Sequence, residues 1–279
     1  MSTQLLSVRD LNVTFDTPKG PFQAVQNVSW SMGVEKIGIV GESGSGKSIS
    51  VKSILGLVQK PALVQATQLE FNGMDLRALN GRQWRTVRGR RISMIMQDPH
   101  YSLNPIMTVG SQIMESYLTH HKVGKAVAKS KTLEMLESVR IKDPERVFKA
   151  YPHEISGGMG QRVMIAMMLI PQPELLIADE PTSALDVSVQ NQILFLINEM
   201  VTQRNMGLIF ISHDLNLVST FCDRIIIMYR GRVVEQCKAS QLHASVHPYT
   251  RGLLSCVPSL DQKKQRLEVL SREPSWSLP

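Results

Sequence analysis

Eight residues carry the first chemistry in this sequence: Gly41-Glu42-Ser43-Gly44-Ser45-Gly46-Lys47-Ser48. Their spacing fits G-x-x-x-x-G-K-[ST], the phosphate-binding P-loop. The glycines let the backbone curl until successive N–H groups point inward at phosphate oxygens. A helix starting at the loop adds the partial positive charge of its N-terminus. Lys47 then offers an ammonium to the β- and γ-phosphates, and Ser48 a hydroxyl to Mg²⁺. On its own the loop predicts a nucleoside triphosphate site of the kind that kinases, GTPases, motors and transporters share.

Further residues could serve the same substrate. Leu175-Leu176-Ile177-Ala178 ends in Asp179-Glu180. Asp179 is expected to hold Mg²⁺, through water, on a strand beside the loop strand. Glu180 is then placed to orient or deprotonate the attacking water. Gln97 and His213 each follow an apolar run, Ile92 to Met96 and Leu208 to Ile211. Ligands bind at the carboxyl edge of such sheets. An amide there can ligate Mg²⁺ or the water, and an imidazole can reach the γ-phosphate. Ser156-Gly157-Gly158 opens an apolar helix and could form a second anion-binding nest. A chain with one triphosphate loop has no nucleotide of its own for it, so the nest points to another chain's nucleotide. Ser156 also reads as an ordinary helix N-cap.

These residues need elements to hold them. Val34 to Val40 reads as a short buried strand entering the loop. Val51, Ile54, Leu55 and Val58 then recur on one helix face, with Pro61 as the expected stop. Before the loop, Leu6, Val8, Leu11, Val13 and Phe15 mostly alternate, as do Val28, Trp30 and Met32, with turn residues 16–21 between them. An antiparallel β region is therefore expected at 5–32. Leu69 to Gly73 predicts another short strand. From about 98 to 170 helical patterns dominate, including Ser111 to His121 and Lys125 to Val139. A helix holding Ile193, Leu196, Ile197, Met200 and Val201 in phase follows Glu180. Ile225 to Glu235 predicts a hairpin turning at Arg230-Gly231. Beyond about 237 the pattern is weak.

The chain has 279 residues, 43% hydrophobic and 20% charged, an ordinary globular composition. No apolar run approaches the roughly 18 residues that span a bilayer, and the first ten residues do not resemble a secretory signal. Cys222, Cys237 and Cys256 are odd in number and far apart, which argues against a disulfide framework or a zinc site. A soluble, cytoplasmic chain is expected. Part of the net charge of +7 lies in Arg82, Arg85, Arg88, Arg90 and Arg91. No recognition fold or aromatic interleaving accompanies the run, so no nucleic-acid partner is expected. A solvated face or proximity to anionic headgroups accounts for it.

Taken together, the motifs resemble the ATP-binding cassette of ABC transporters over nearly the whole chain. Gly41–Ser48 matches Walker A and Gln97 the Q-loop. Ile155-Ser156-Gly157-Gly158-Met159 matches the signature. Leu175–Asp179 with Glu180 matches Walker B and the catalytic glutamate, Ser183-Ala184-Leu185-Asp186 the D-loop, and His213 the H-loop. Phe15 matches the aromatic that stacks on adenine. Ser156 to Ala166, Leu176 to Thr182 and His247-Pro248-Tyr249-Thr250-Arg251-Gly252-Leu253-Leu254 resemble the dipeptide/oligopeptide/nickel importer ATPases. Gly160 stands where that subfamily usually has Arg.

The resemblance implies an α/β fold, a P-loop NTPase core with an antiparallel β subdomain and a helical subdomain at about 98–170. The ATPase domain would cover 1–236, with a short C-terminal extension at 237–279. It implies an ATPase using ATP and Mg²⁺, with Glu180, His213 and Gln97 catalytic. Phe15, Gly41–Ser48 and Ser156–Gly158 would bind nucleotide, and Ser48, Gln97 and Asp179 would hold the metal. A second ABC ATPase, identical or different, two permease subunits and an external solute-binding protein are the implied partners, at the cytoplasmic face of the inner membrane. The cargo would be a di- or oligopeptide, or alternatively nickel or a metal chelate; a soluble ABC ATPase acting on nucleic acid or ribosomes is the reading from another class. The cysteine-rich tail that many relatives carry after the His-Pro-Tyr-Thr segment is absent from the sequence, so no iron–sulfur cluster is expected.

Overall fold

A computed structural model of the chain describes residues 4–97, 102–183, 185–256 and 276. In chain order the elements are β1 (Leu6–Thr17), β2 (Gly20–Met32), β3 (Lys36–Val40), α1 (Lys47–Ile54), β4 (Ala62–Gln65), β5 (Gln68–Phe71) and β6 (Met74–Asp75). Next come α2 (Gly81–Val87), β7 (Ile92–Ile95), α3 (Val109–His120), α4 (Lys125–Ser138), α5 (Pro144–Lys149) and α6 (Gly157–Leu169). The chain continues through β8 (Leu175–Asp179), α7 (Val187–Gln203), β9 (Gly207–Ile211), α8 (Leu215–Phe221), β10 (Arg224–Tyr229), β11 (Arg232–Lys238) and α9 (Pro248–Ser255). Two compact units result, Met1–Leu79 with Gly207–Pro279, and Asn80–Met206.

The first unit contains an antiparallel sheet ordered β2-β1-β5-β6, with β4 also paired to β1. Leu6, Val8, Leu11 and Val13 of β1 are almost fully buried. Their spacing jumps from two to three at Asp10, where the backbone takes φ 49° and the register with β2 slips. That β-bulge is the physical cause of the imperfect alternation in the sequence. The same unit holds parallel pairs β10–β3 and β3–β9, with β11 antiparallel to β10. Ile37, Ile39, Val40, Leu208 to Ile211 and Ile225 to Ile227 are fully buried. Continuous apolar runs are what strands covered on both faces require. Gly38 belongs to this packing: a Cβ there would lie 2.0 Å from Val218 Cγ1 of α8.

Two expectations are corrected here. First, α1 ends at Ile54 rather than continuing to Pro61. Gly56 takes φ 59°, its N–H donates to the Ser53 carbonyl at 3.0 Å, and the Leu57 N–H donates to the Lys52 carbonyl at 2.9 Å. A left-handed glycine therefore closes the helix, Val58 falls outside it, and Pro61 leads into β4 instead. Second, β3 is flanked by β10 and β9, so the strand that ends at Asp179 is not its neighbour. Between residues 238 and 256 the chain also holds more structure than its pattern: α9 forms there, with Tyr249 and Thr250 fully buried.

The second unit pairs β7 with β8 in parallel, Ile92 opposite Leu175 through Ile95 opposite Ala178. Around them lie α2 to α7. Helix α6 buries Val163, Met164, Ile165, Ala166 and Leu169. In the arginine run, Arg91 is paired with Glu174 and Arg88 lies 4.6 Å over the Trp84 ring, while Arg82, Arg85 and Arg90 face solvent.

The cysteines are all free. Burial pushes the Cys222 thiol up to about 12, with Asp223 adding to the effect. Since the thiolate is the reactive form, native protein treated with iodoacetamide at pH 8 should leave Cys222 unlabelled. Peptide mass analysis finding it alkylated as fast as in denatured protein would contradict this packing.

Candidate nucleotide site

Strand β3 delivers the chain to Gly41, the first loop residue. Gly41 takes φ 152°, and a Cβ there would lie 2.2 Å from the Met228 carbonyl oxygen. Gly46 caps α1 at φ 97°, where a Cβ would lie 2.7 Å from the Ala24 carbonyl oxygen. Both positions therefore need glycine, by conformation and by space. Backbone bonds close the loop: the Ser45 N–H donates to the Glu42 carbonyl at 3.2 Å, and the Gly231 N–H to the Ser45 carbonyl at 3.0 Å. Lys47 is 6% exposed. Its ammonium donates to the carbonyls of Gly41 at 2.7 Å and Glu42 at 2.9 Å, which aims a cation across the loop.

A cavity of about 210 Å³ is lined by Glu42, Ser43, Gly44 and Ser45 of the loop and by Tyr229 and Arg230. The hydroxyls of Ser45 and Tyr229 are buried and have no hydrogen-bond partner among the described residues. A cationic loop with an orphaned hydroxyl fits a phosphate-bearing ligand. Ser48 follows Lys47 in the first turn of α1.

His213 follows β9 in the same unit and is exposed. The turn that presents it is held on both sides. The Asp214 N–H donates to the Ser212 hydroxyl at 3.0 Å, and the Asp214 carboxylate caps α8 by accepting from the Leu217 N–H at 3.0 Å. Phe15 is half-buried in β1, opposite Phe22 of β2, which is 60% exposed, and Ala62 of β4.

The second unit holds the other candidates. Asp179 is buried at the end of β8. Glu180 leaves the strand with φ 47° and is half-buried. A non-glycine residue in the left-handed region stores ~1–3 kcal/mol, and such strain collects at functional sites. The turn is tied by the Ser183 N–H and hydroxyl, which donate to the Glu180 carbonyl at 3.3 and 3.2 Å. The buried Gln161 amide of α6 donates to the Pro181 carbonyl. Asp186 caps α7 by accepting from the Val189 N–H at 3.0 Å. Ala184, expected in the same loop, lies outside the described residues.

Ser156 is the N-cap of α6, its hydroxyl accepting from the Met159 N–H at 3.4 Å, as the plainer sequence reading has it. Ser156 and Gly157 are exposed, and a Cβ on Gly157 would meet nothing within 4 Å. The helix start is thus open to an incoming ligand on this unit. Gln97 is exposed just past β7. Of the three residues expected at one metal, Ser48 belongs to the first unit, and Gln97 and Asp179 to the second. Among the described residues no three His, Cys, Asp or Glu side chains group to hold a metal.

Comparison with known proteins shows the family. The profile of the ABC transporter family matches residues 25–183. The dipeptide transport ATP-binding protein DppD of Escherichia coli (strain K12) is 47% identical over 268 residues, 95% of this chain and 82% of that protein. The chain belongs to the ABC transporter family. It is an ABC-type ATPase. A second profile, the C-terminal region of oligopeptide/dipeptide transporters, matches residues 234–277 of this ABC ATPase. The oligopeptide transport ATP-binding protein OppD of Salmonella typhimurium is 45% identical over 272 residues, 97% of this chain and 81% of that protein. Among solved structures, the dimeric bacterial ABC transporter cassette MJ0796 superimposes with a TM-score of 0.74 at 25% identity, covering 84% of this chain and 98% of that one. The ABC nucleotide-binding fold expected from the sequence is therefore the fold of this chain. Among the described residues no helix is long and apolar enough to cross a membrane.

The motif reading of this ABC ATPase left one contact unseen. The Glu42 N–H at the start of the Gly41–Ser48 loop donates to the Tyr249 hydroxyl at 3.1 Å. Tyr249 sits in the His-Pro-Tyr-Thr segment, recognisable in the sequence as a subfamily mark but carrying no assigned role there.

Proposed function

We propose that this chain is the ATP-hydrolysing subunit of an importer for dipeptides or oligopeptides. The observation that carries the cargo class is the 47% identity, over 95% of the chain, to a dipeptide transport ATP-binding protein, together with the C-terminal profile at 234–277.

In this reading Lys47 and the loop N–H groups bind the phosphates of ATP. Phe15 stacks on adenine. Glu180 takes a proton from the attacking water, and His213 and Gln97 orient the γ-phosphate and that water. Ser48, Gln97 and Asp179 offer a hydroxyl, an amide and a carboxylate, an oxygen set suited to Mg²⁺. The metal supplies charge neutralisation on the β- and γ-phosphates. The open start of α6 supports a head-to-tail pair in which Ser156–Gly158 of one subunit meets the nucleotide of the other. The ATPase domain covers 1–236, with the helical insertion at about 98–170 and the extension at 237–279.

The partners are a second ABC ATPase, two permease subunits and, indirectly, an external solute-binding protein. The chain works at the cytoplasmic face of the membrane, where closure of the pair drives the permeases between two states.

The test is growth of a strain lacking this gene. Loss of growth on di- or oligopeptides as sole amino-acid source, restored by the wild-type gene but not by the Glu180→Gln form, is the expected result. Normal growth on peptides with failure under limiting nickel would transfer the assignment to a metal importer.

A further inference from the structure

We propose that Tyr249 is a positioning residue for ATP binding, acting on Lys47 through a single peptide group of the Walker A loop. The inference rests on Gly41–Ser48 being the nucleotide loop.

The Gly41–Glu42 peptide is gripped at both ends. Its carbonyl, on Gly41, accepts from the Lys47 ammonium at 2.7 Å. Its N–H, on Glu42, donates to the Tyr249 hydroxyl at 3.1 Å. A peptide unit is planar, so fixing the direction of the N–H fixes that of the C=O. Tyr249 therefore sets the direction of the carbonyl that holds the lysine ammonium. Gly41 provides no side chain to resist rotation of this plane about its Cα–C bond. The Tyr249 hydroxyl adds a restraint from outside the loop.

Tyr249 is itself rigidly held. It is fully buried, and its ring lies 4.4 Å from that of Tyr229 and 5.9 Å from that of Trp276. Its own N–H donates to His247 Nδ1 at 3.2 Å, where His247 caps α9 ahead of Pro248. Tyr229 also lines the cavity beside the loop, and the carbonyl of the preceding Met228 is the atom that crowds Gly41. The segment at 247–256 thus reaches the loop by a chain of contacts ending in one phenol oxygen. Without that oxygen the ring still packs, but the peptide loses the grip on its N–H, and the carbonyl that meets the lysine is less sharply preset before phosphate arrives. Preorganisation of this kind appears in affinity.

The test is Tyr249→Phe in the full chain, with wild type in the same assay. Mg·ATP affinity is measured by calorimetric titration, and steady-state hydrolysis gives KM and kcat separately. Kd and KM should rise about five- to tenfold, the loss of one hydrogen bond, with kcat within about twofold of wild type. Thr250→Val is the control. Thr250 is fully buried and its hydroxyl has no hydrogen-bond partner among the described residues, so this change should leave Kd unaltered while shifting the melting temperature. A Tyr249→Phe protein that melts lower yet binds Mg·ATP within twofold of wild type would reduce Tyr249 to a packing residue and overturn the proposal. Absence of nucleotide binding in wild type would instead overturn the loop assignment beneath it.

Discussion

Glu180→Gln should retain ATP binding while steady-state hydrolysis falls by at least about 100-fold, the scale on which a positioned base accelerates proton transfer. The amide preserves the size of the carboxylate and its capacity to accept a hydrogen bond, so the left-handed turn at φ 47° and the Ser183 contacts to the Glu180 carbonyl have no reason to change. What is lost is the ability to take a proton. Nucleotide then binds without being consumed, and the ATP-bound pair of subunits should accumulate. Phosphate release, nucleotide titration and size-exclusion chromatography with Mg·ATP read the three consequences separately. Turnover near that of wild type would remove Glu180 from the chemistry, whatever the chromatography shows.

Lys47→Ala acts one stage earlier. The ammonium is buried and spans two loop carbonyls. Hydrogen bonds to charged groups contribute about 1.5–3 kcal/mol, so nucleotide affinity should drop by roughly 10–100-fold as the phosphates lose this partner. The loop should keep its shape, because the bonds from the Ser45 and Gly231 N–H groups do not involve the lysine. A fluorescent-nucleotide titration at constant Mg²⁺ measures the change, with circular dichroism to confirm the fold. Unaltered affinity would sink the assignment of Gly41–Ser48 as the phosphate site.

The motifs that carry these two residues stand out in the sequence because the elements that hold them are local. Leu175 to Ala178 is a short apolar run directly ahead of Asp179 and Glu180, and Ile37 to Val40 is one directly ahead of the loop that carries Lys47. What sequence could not supply was non-local. Strand neighbours depend on where crossovers land, so the flanking of β3 by β9 and β10 leaves no trace in the residues of β3. The end of α1 depended on which of two breakers acts first, and Gly56 precedes Pro61. The anchoring of α9 follows no period at all. Only two of its eight residues are buried, and its role lies in one hydroxyl meeting a backbone N–H more than two hundred residues away. Exposed apolar residues such as Leu63 and Val64 likewise masked β4.

The bonds that complete the Walker A loop also impose an order on its making. Residues 41–48 leave the ribosome early, but β9, which flanks β3, begins at residue 207 and β10 at residue 224. The carbonyl that crowds Gly41 belongs to residue 228, the N–H that ties Ser45 to residue 231, and the hydroxyl that meets Glu42 to residue 249. A nascent chain therefore carries the phosphate motif through the synthesis of some two hundred further residues without the surroundings that give the motif its shape. Closing so long a loop is entropically costly until the last partners exist to repay it. The loop thus reaches its final shape only once residue 249 has been made, and a translation product interrupted before it would bear the phosphate motif without the surroundings that shape it.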